Sequence, residues 1–330
     1  MRQAVKKTIV LLLRVAVSVA LIGWILYKVD RQQLLSTIRG LDPWLMLAAI
    51  GSCLAVHAIC AWRWQVLLAG RGVRMRFHRL FRYTLNGLFF SNFLPTTVGG
   101  DLMRAYLVAG DCDTRTEALA SVLVDRFVGL FGVIITGLVG LVLVARTARE
   151  TALLQSMAIG VGLVLLALAA FMSKALMRKF RVLLRMPLLR RIEQQAVDFY
   201  RSLYAYRHHR REVVVAFLQS LLVQALVVTT AFLVSRSLGI GVPLVPFILY
   251  MPVIAAVSMV PASINGWGLQ EGAFVVFFSR AGASGLQAFS LGFLFHAVTI
   301  VVSLLGGLLW LVCGGRRKAG GDACENQQSG

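Results

Sequence analysis

The sequence has few acidic residues and few cysteines. Its 330 residues include 14 aspartates and glutamates against 34 lysines and arginines, which gives a net charge of +20. The five cysteines form no Cys-x-x-Cys pair and have no histidine at metal-ligand spacing, so we predict free thiols and no metal site. Phosphate-binding Gly-x-x-x-x-Gly-Lys loops, His-Glu-x-x-His motifs and Gly-x-Ser-x-Gly elbows are also missing. We therefore expect no nucleotide site, no aminoacyl-transfer site and no cofactor.

Long apolar runs are the main positive feature of the chain. Hydrophobic residues make up 58% of it and the mean hydropathy is +0.77, well above the values of soluble domains. Several runs reach the roughly 20 residues that a helix needs to cross a bilayer. The sequence therefore predicts an all-α polytopic membrane protein, with spans near residues 8–27, 44–62, 118–145, 151–172, 213–235 and 288–313.

The basic residues cluster in the segments between apolar runs. In a soluble protein a charge of +20 would suggest nucleic acid, but this distribution is typical of positive-inside topology. We expect no nucleic-acid partner and expect contact with membrane lipids through their anionic head groups. The basic clusters predict an inner-membrane protein with four cytoplasmic regions, namely residues 2–7, 63–82, 174–211 and 316–318, so that both termini are cytoplasmic.

Two helix-breaking segments, residues 92–106 and 261–272, interrupt the apolar pattern. In each, a proline is followed at matching offsets by a hydroxyl residue, a β-branched residue and a glycine; the matching pairs are Pro95 and Pro261, Thr97 and Ser263, Val98 and Ile264, and Gly100 and Gly266. Irregular backbone at membrane depth is tolerated only where protein or a watery cavity satisfies its polar groups. Breaks in corresponding halves of a chain are typical of transport sites.

The topology predicts two opposed re-entrant hairpins within a helical bundle. Hairpin one, about 83–110, begins and ends on the cytoplasmic side, whereas hairpin two, about 244–282, begins and ends outside. A span, a hairpin and a span then occur twice with opposite orientation, which is an inverted repeat. We expect one transmembrane domain over residues 1–318 and a disordered tail over 319–330. The linker at about 174–212 is either an amphipathic helix on the inner leaflet or a solvated helix packed on the bundle.

Polar residues near the breaks are the candidates for substrate binding. Charged groups within a bilayer are costly and usually face a cavity or the bundle interior. Other roles stay open: Asp101 can N-cap the returning helix, and Arg104 or Arg126 can reach a membrane surface. Asp125 and Arg126 can form a structural ion pair, whereas Glu271 has no close cation in sequence. The predicted site comprises Asn92, Pro95, Gly99, Gly100, Asp101, Arg104, Asp125, Arg126, Asn265, Gly266 and Glu271. His57 and Cys60 are predicted to pack in the core.

The motifs resemble those of a known family, the lysylphosphatidylglycerol synthase membrane-region family, also called flippase-like. The resemblance covers about residues 8–313 and rests on three groups of residues: Asn92, Leu94, Pro95, Gly99, Gly100, Asp101, Arg104 and Tyr106; Asp125 and Arg126; and Pro261, Gly266, Gly268, Glu271 and Gly272. It implies an integral membrane protein whose relatives move polar lipids between leaflets. Larger members add a soluble aminoacyl-transferase domain. Because this sequence stops soon after its last apolar run, we expect no lysyl transfer.

Three functions fit these features. The first is a flippase-like transporter of a phospho- or glycolipid, with the hairpin tips meeting at a polar site. The second is a membrane enzyme, or enzyme subunit, acting on a lysyl-lipid or polyprenyl-phosphate-sugar substrate, and the third is a scaffold for lipid-biosynthesis enzymes. The transporter hypothesis predicts that Asp101 and Glu271 share one cavity, about 10–15 Å apart, lined also by Arg104 or Arg126. The sequence does not indicate an oligomeric state.

Overall fold

The computed structural model describes residues 40–93, 99–109, 115–145, 209–258 and 266–314. Throughout these ranges every regular element is an α-helix, which confirms the all-α prediction. The eight helices are α1 (Pro43–Gly70), α2 (Phe77–Phe93), α3 (Gly99–Ala109), α4 (Arg115–Ala145), α5 (Arg210–Ser237), α6 (Leu244–Ser258), α7 (Leu269–Arg280) and α8 (Gly285–Gly314).

Four of these helices are long and apolar enough to cross a membrane. They are the helical stretches Pro43–Gly70, Ala118–Leu143, Arg211–Ser237 and Gly285–Val312. These coincide with four of the six predicted spans, and the other two, 8–27 and 151–172, lie outside the described residues. The predicted linker up to residue 208 and the tail at 319–330 also lie outside them.

Helix α1 begins at a strong N-terminal capping signal, Asp42 followed by Pro43, and ends later than predicted. The Asp42 side chain accepts hydrogen bonds from the backbone N–H groups of Trp44 and Leu45, at 2.9 and 3.2 Å, and Pro43 occupies the first turn. The helix continues eight residues beyond the predicted end at 62. Arg63, which we assigned to a cytoplasmic stretch, lies buried inside α1 because an internal carboxylate binds it.

Helices α1 and α5 pack side by side in opposite directions along their length. The Asp42 N–H donates to the carbonyl of Ser237, at 3.0 Å, which joins the start of α1 to the end of α5. Further along, Thr230 donates its hydroxyl to Ser52 at 2.9 Å, and Gly70 lies against Glu212. Such contacts between polar or small residues are typical of membrane helices, because the hydrophobic effect contributes little to helix association within lipid.

Helices α2 and α3 form one antiparallel pair on either side of residues 94–98. A Cβ placed on Gly100 would overlap the Ser91 hydroxyl and the carbonyl of Gly87, and a Cβ on Gly87 would overlap the Arg104 side chain. Glycine is therefore required at both positions for the two helices to approach so closely. The pair spans the first predicted break, whose residues 94–98 lie outside the described part of the chain.

Helices α6 and α7 form a second antiparallel pair around residues 259–265. Aromatic rings join them, with the Phe247 and Phe278 ring centroids 4.6 Å apart and those of Tyr250 and Phe277 5.3 Å apart. Helix α8 then packs against both pairs, contacting α2 through Trp310 and Phe90 and α7 through Gly292 and Phe274. Entry of the pairs from opposite membrane faces, and the inverted repeat, stay predictions, because these contacts do not fix the position of a membrane.

Candidate functional site

Residues flanking both breaks line a single cavity of about 630 Å³. The first break contributes Ser91, Asn92 and Gly100, and the second contributes Ser258 and Gln270. This volume is that of a typical small-molecule site. Six of the predicted site residues lie on its wall, namely Asn92, Gly100, Asp101, Arg104, Asp125 and Arg126.

The other predicted residues divide into three groups. Gly99 begins α3 and is buried beside the cavity wall. Gly266 and Glu271 are also buried, and their neighbours Gln270 and His296 are the ones that line the cavity. Pro95 and Asn265 lie outside the described residues.

Asp125 is the centre of a buried ion-pair network. One of its carboxylate oxygens lies 2.7 Å from Nε of Arg63 and the other 3.0 Å from Nη2 of Arg104. Arg63 also donates to the Ser220 hydroxyl at 2.9 Å. The network thereby connects α1, α3, α4 and α5. Because all three charged groups are almost fully buried, loss of Asp125 would leave two buried arginines without this carboxylate.

Asp101 and Arg126 form a second, more accessible ion pair. Nε and Nη2 of Arg126 lie 2.7 and 2.9 Å from the two carboxylate oxygens of Asp101, a bidentate geometry. Asp101 sits in the first turn of α3, inside the helix rather than at its N-cap. The Arg126 side chain keeps 48% of its surface accessible where it lines the cavity, so this pair is open to a ligand.

Arg104 connects the two pairs inside the helical bundle. Its residue is only 8% exposed, and Nη1 lies 3.8 Å from Asp101 while Nη2 binds Asp125. The guanidinium carbon also lies 4.2 Å from the ring centroid of Trp64, a cation–π distance. Contacts within the protein therefore hold this arginine.

Glu271 lies behind the cavity wall, where its carboxylate orders the second break. One oxygen accepts the Gly268 backbone N–H at 2.6 Å and the other lies 3.0 Å from Nδ1 of His296. Gly266 and Gly268 both have φ near +80°, a conformation that glycine adopts without steric cost. The Trp267 ring stacks on the His296 ring at a centroid distance of 4.0 Å. The carboxylate, two glycines and two rings therefore form one ordered turn at the start of α7.

The predicted site omitted four ionisable wall residues, namely His57, Cys60, Arg63 and His296. Arg63 was assigned to a loop because it follows an apolar run, and His296 is a lone histidine in another apolar run. His57 and Cys60 were assigned to the core, yet both line the cavity. The sequence does contain a pattern that could have indicated this face of α1. His57, Cys60 and Trp64 recur at i, i+3 and i+7, which places a polar stripe on one face of an apolar helix.

The cavity wall presents charged groups and hydrogen-bonding groups to a ligand. Within the described ranges, no three histidine, cysteine or acidic side chains lie together in a way that could hold a metal ion. Cys53 and Cys60 are free thiols on α1. The wall instead supplies guanidinium groups beside amide and hydroxyl groups, which suits an anionic, hydrogen-bonding ligand.

The family model described as the lysylphosphatidylglycerol synthase TM region matches residues 11–307. The chain belongs to this family. The match includes every described residue on the wall of the cavity. With four described helices able to cross a membrane, this member of the family is a membrane protein.

Two archaeal proteins resemble the chain over much of its length. A UPF0104 membrane protein of Methanothermobacter thermautotrophicus is 24% identical over 337 residues, which cover 94% of this chain and 95% of that protein. A second UPF0104 membrane protein of the same organism is 23% identical over 265 residues, covering 75% of this chain and 78% of its own length. The similarity to the first protein therefore extends over nearly the whole membrane domain.

Proposed function

We propose that this family member moves a polar phospho- or glycolipid between the two leaflets of the cell's inner membrane. The head group crosses through the cavity, while the acyl chains stay in the surrounding lipid. Asp101 and Arg126 take part in binding it at the accessible wall. Membrane lipids with anionic head groups are the partners, and both chain termini are cytoplasmic.

The observation that carries this proposal is the charged cavity wall inside a bundle of apolar helices. Charges at membrane depth are costly and are retained where they line a pathway or a binding site. The wall contains Arg63, Arg104, Asp125, Asp101 and Arg126, and the last of these keeps nearly half of its side chain accessible. A purely structural network would be expected to bury all of its members.

The two helix pairs also support a transport role. Residues beside both breaks line the same cavity, as expected of a site formed by discontinuous helices at the meeting point of two halves. Entry of the pairs from opposite faces is part of the proposal, because it would give each leaflet its own route to the head-group site. A lipid-biosynthesis enzyme that binds the protein would then supply the lipid on the cytoplasmic side.

The proposal is tested by leaflet exchange in proteoliposomes. Purified protein is reconstituted with a phospholipid carrying a fluorophore on one acyl chain, and dithionite then quenches the label in the outer leaflet. In vesicles that contain the protein, a smaller fraction of the fluorophore should stay protected from dithionite than in empty vesicles. Mass spectrometry of the recovered lipids separates movement from chemical conversion, so that a modified product would favour an enzyme instead.

Two variants and a matched control assign the activity to the cavity. We expect Arg126→Gln and Asp101→Asn to slow exchange by about tenfold or more, because a hydrogen bond to a charged group contributes about 1.5–3 kcal/mol. Arg280→Gln removes one positive charge at the exposed end of α7, away from the cavity wall, and should exchange at the wild-type rate. Wild-type exchange in both cavity variants would contradict the proposal.

A further inference from the structure

The charge balance of the cavity wall is positive. Among its described residues, three arginines face two aspartates. All four aspartate oxygens already lie within 3.0 Å of a guanidinium nitrogen, two belonging to Asp125 and two to Asp101. A cationic ligand would therefore meet a net positive wall with both carboxylates already engaged. An anionic ligand would compensate the excess charge.

One wall residue, Arg104, has a buried donor that lacks a partner. Nε of Arg104 is buried and has no hydrogen-bond partner among the described residues, although the other side of that guanidinium binds Asp125. A buried donor without a partner is costly, and a bound water or ion is one of the explanations for such a donor in native proteins. Arg126 adds an accessible guanidinium close by, because both arginines contact Asp101. Two convergent guanidinium groups suit the oxygens of a phosphate.

The part of the wall built by α5 to α8 is polar but carries no free carboxylate among its described residues. Gln224, Ser258, Gln270 and Thr299 supply amide and hydroxyl groups, and His296 lies next to them with its ring stacked on Trp267. Glu271 is unavailable to a ligand, because it is 1% exposed and both of its oxygens have partners. Amides and hydroxyls both donate and accept, which is what the hydroxyl groups of a ligand require.

We infer that the head group bound in this cavity is an anionic phosphate joined to an uncharged, hydroxylated group, and not a cationic amine. This inference rests on the proposed function and names its substrate class. The phosphate contacts Arg104 and Arg126, and the hydroxylated group contacts the amides and hydroxyls around Gln270 and Thr299. A glycerol phosphate and a sugar phosphate share this chemistry, and the cavity volume of about 630 Å³ accommodates either.

The test compares labelled lipids that differ only in their head groups. Acyl-labelled phosphatidylglycerol, phosphatidylinositol, phosphatidic acid, phosphatidylethanolamine and lysylphosphatidylglycerol are exchanged in parallel in proteoliposomes. We expect phosphatidylglycerol or phosphatidylinositol to exchange fastest, and the faster of the two distinguishes glycerol from a sugar-like ring. The two amine-bearing lipids keep the phosphate but bring an ammonium group to a net positive wall, so charge repulsion should make them exchange about tenfold more slowly. Equal or faster exchange of an amine-bearing lipid would overturn the inference.

A binding measurement keeps the inference separate from the proposed function. Native mass spectrometry of the detergent-purified protein ranks the same five lipids without any need for transport. Tighter binding of phosphatidylglycerol or phosphatidylinositol supports the inference even if no lipid is exchanged, in which case only the transport proposal fails. Tighter or equal binding of phosphatidylethanolamine or lysylphosphatidylglycerol contradicts it.

A conservative variant tests which part of the wall binds the hydroxyl groups of the head group. Thr299→Val keeps the shape of the side chain and removes its hydroxyl, which donates to the Phe295 carbonyl at 3.2 Å. We expect it to reduce the preference for phosphatidylglycerol or phosphatidylinositol over phosphatidic acid, with little change for phosphatidic acid itself. Arg280→Gln, on the exposed end of α7, should leave the ranking unchanged. An unchanged ranking in Thr299→Val would place the hydroxylated group elsewhere and contradict this assignment.

Discussion

Nε of Arg126 lies 2.7 Å from the Asp101 carboxylate, in an ion pair that joins α4 to the first turn of α3 and is accessible from the cavity. The neighbouring residue Asp125 points into the protein and holds Arg63 and Arg104. The adjacent residues Asp125 and Arg126 of α4 therefore belong to two different ion-pair groups, one buried and one accessible. We expect the buried pair to determine stability and the accessible pair to determine function.

Asp125→Asn should destabilise the protein strongly. The substitution leaves two buried guanidinium groups without their carboxylate, and breaking a buried pair from one side costs about 3–5 kcal/mol. The measurement is the midpoint of thermal unfolding in detergent, followed by size-exclusion fluorescence, together with the yield of monodisperse protein.

Asp101→Asn provides the matched comparison for that experiment. Its partner Arg126 is 48% exposed, so the loss should cost about 1 kcal/mol or less, as is usual for accessible pairs. The variant should remain folded while leaflet exchange falls. Equal stability losses in Asp101→Asn and Asp125→Asn would show that the two pairs do not have the separate roles assigned to them.

Gly100→Ala should separate α2 from α3. The added Cβ would overlap the Ser91 hydroxyl and the carbonyl of Gly87, and overpacking of this kind costs about 1–3 kcal/mol. Gly51→Ala is the control, since no atom lies within 4 Å of a Cβ at this helical position. It should leave stability unchanged or raise it by up to about 1 kcal/mol through helix propensity. Comparable unfolding midpoints for the two variants would argue against the close helix pair.

Glu271 and His296 should show a coupled effect on stability. A double-mutant cycle with Glu271→Ala and His296→Ala should give a coupling free energy of about 0.5–3 kcal/mol, because the two side chains lie 3.0 Å apart and are both buried. A reference cycle pairs His296→Ala with Leu218→Ala on the exposed surface of α5. That cycle should be additive within about 0.5 kcal/mol. Additivity in the Glu271 cycle would mean that the contact contributes no stability.

Hydropathy and helix-breaking residues predicted much of the fold. Four spans agree with the structure because a run of about 20 apolar residues has few alternatives to a membrane helix. The breaks near Pro95 and Pro261 predicted which parts of the chain would flank a cavity.

Partners across helices were not predictable from one sequence. From the sequence alone, Arg63 looks like the end of a span. Its burial depends on Asp125, which lies more than 60 residues away in the chain and is not identifiable as its partner from a local pattern. Glu271 appears without a partner in the sequence because His296, which lies 3.0 Å from it, is on another helix, 25 residues along the chain. Local patterns identify which residues are costly to bury, whereas packing decides which of them neutralise one another. Asp101 and Glu271 were expected on one cavity, and the structure instead places His296 on the wall in front of Glu271.

The most direct test of the central claim, that the head group passes through this cavity, is to block the cavity chemically. In a cysteine-free background that still exchanges lipid, Ser258→Cys places one thiol on the wall and Leu218→Cys places one on the exposed surface of α5. Each variant is labelled with a bulky thiol reagent, and mass spectrometry confirms the extent of labelling. The account predicts that labelling at 258 stops leaflet exchange and labelling at 218 does not. Full exchange in protein completely labelled at 258, or failure of the reagent to reach that position, would contradict it.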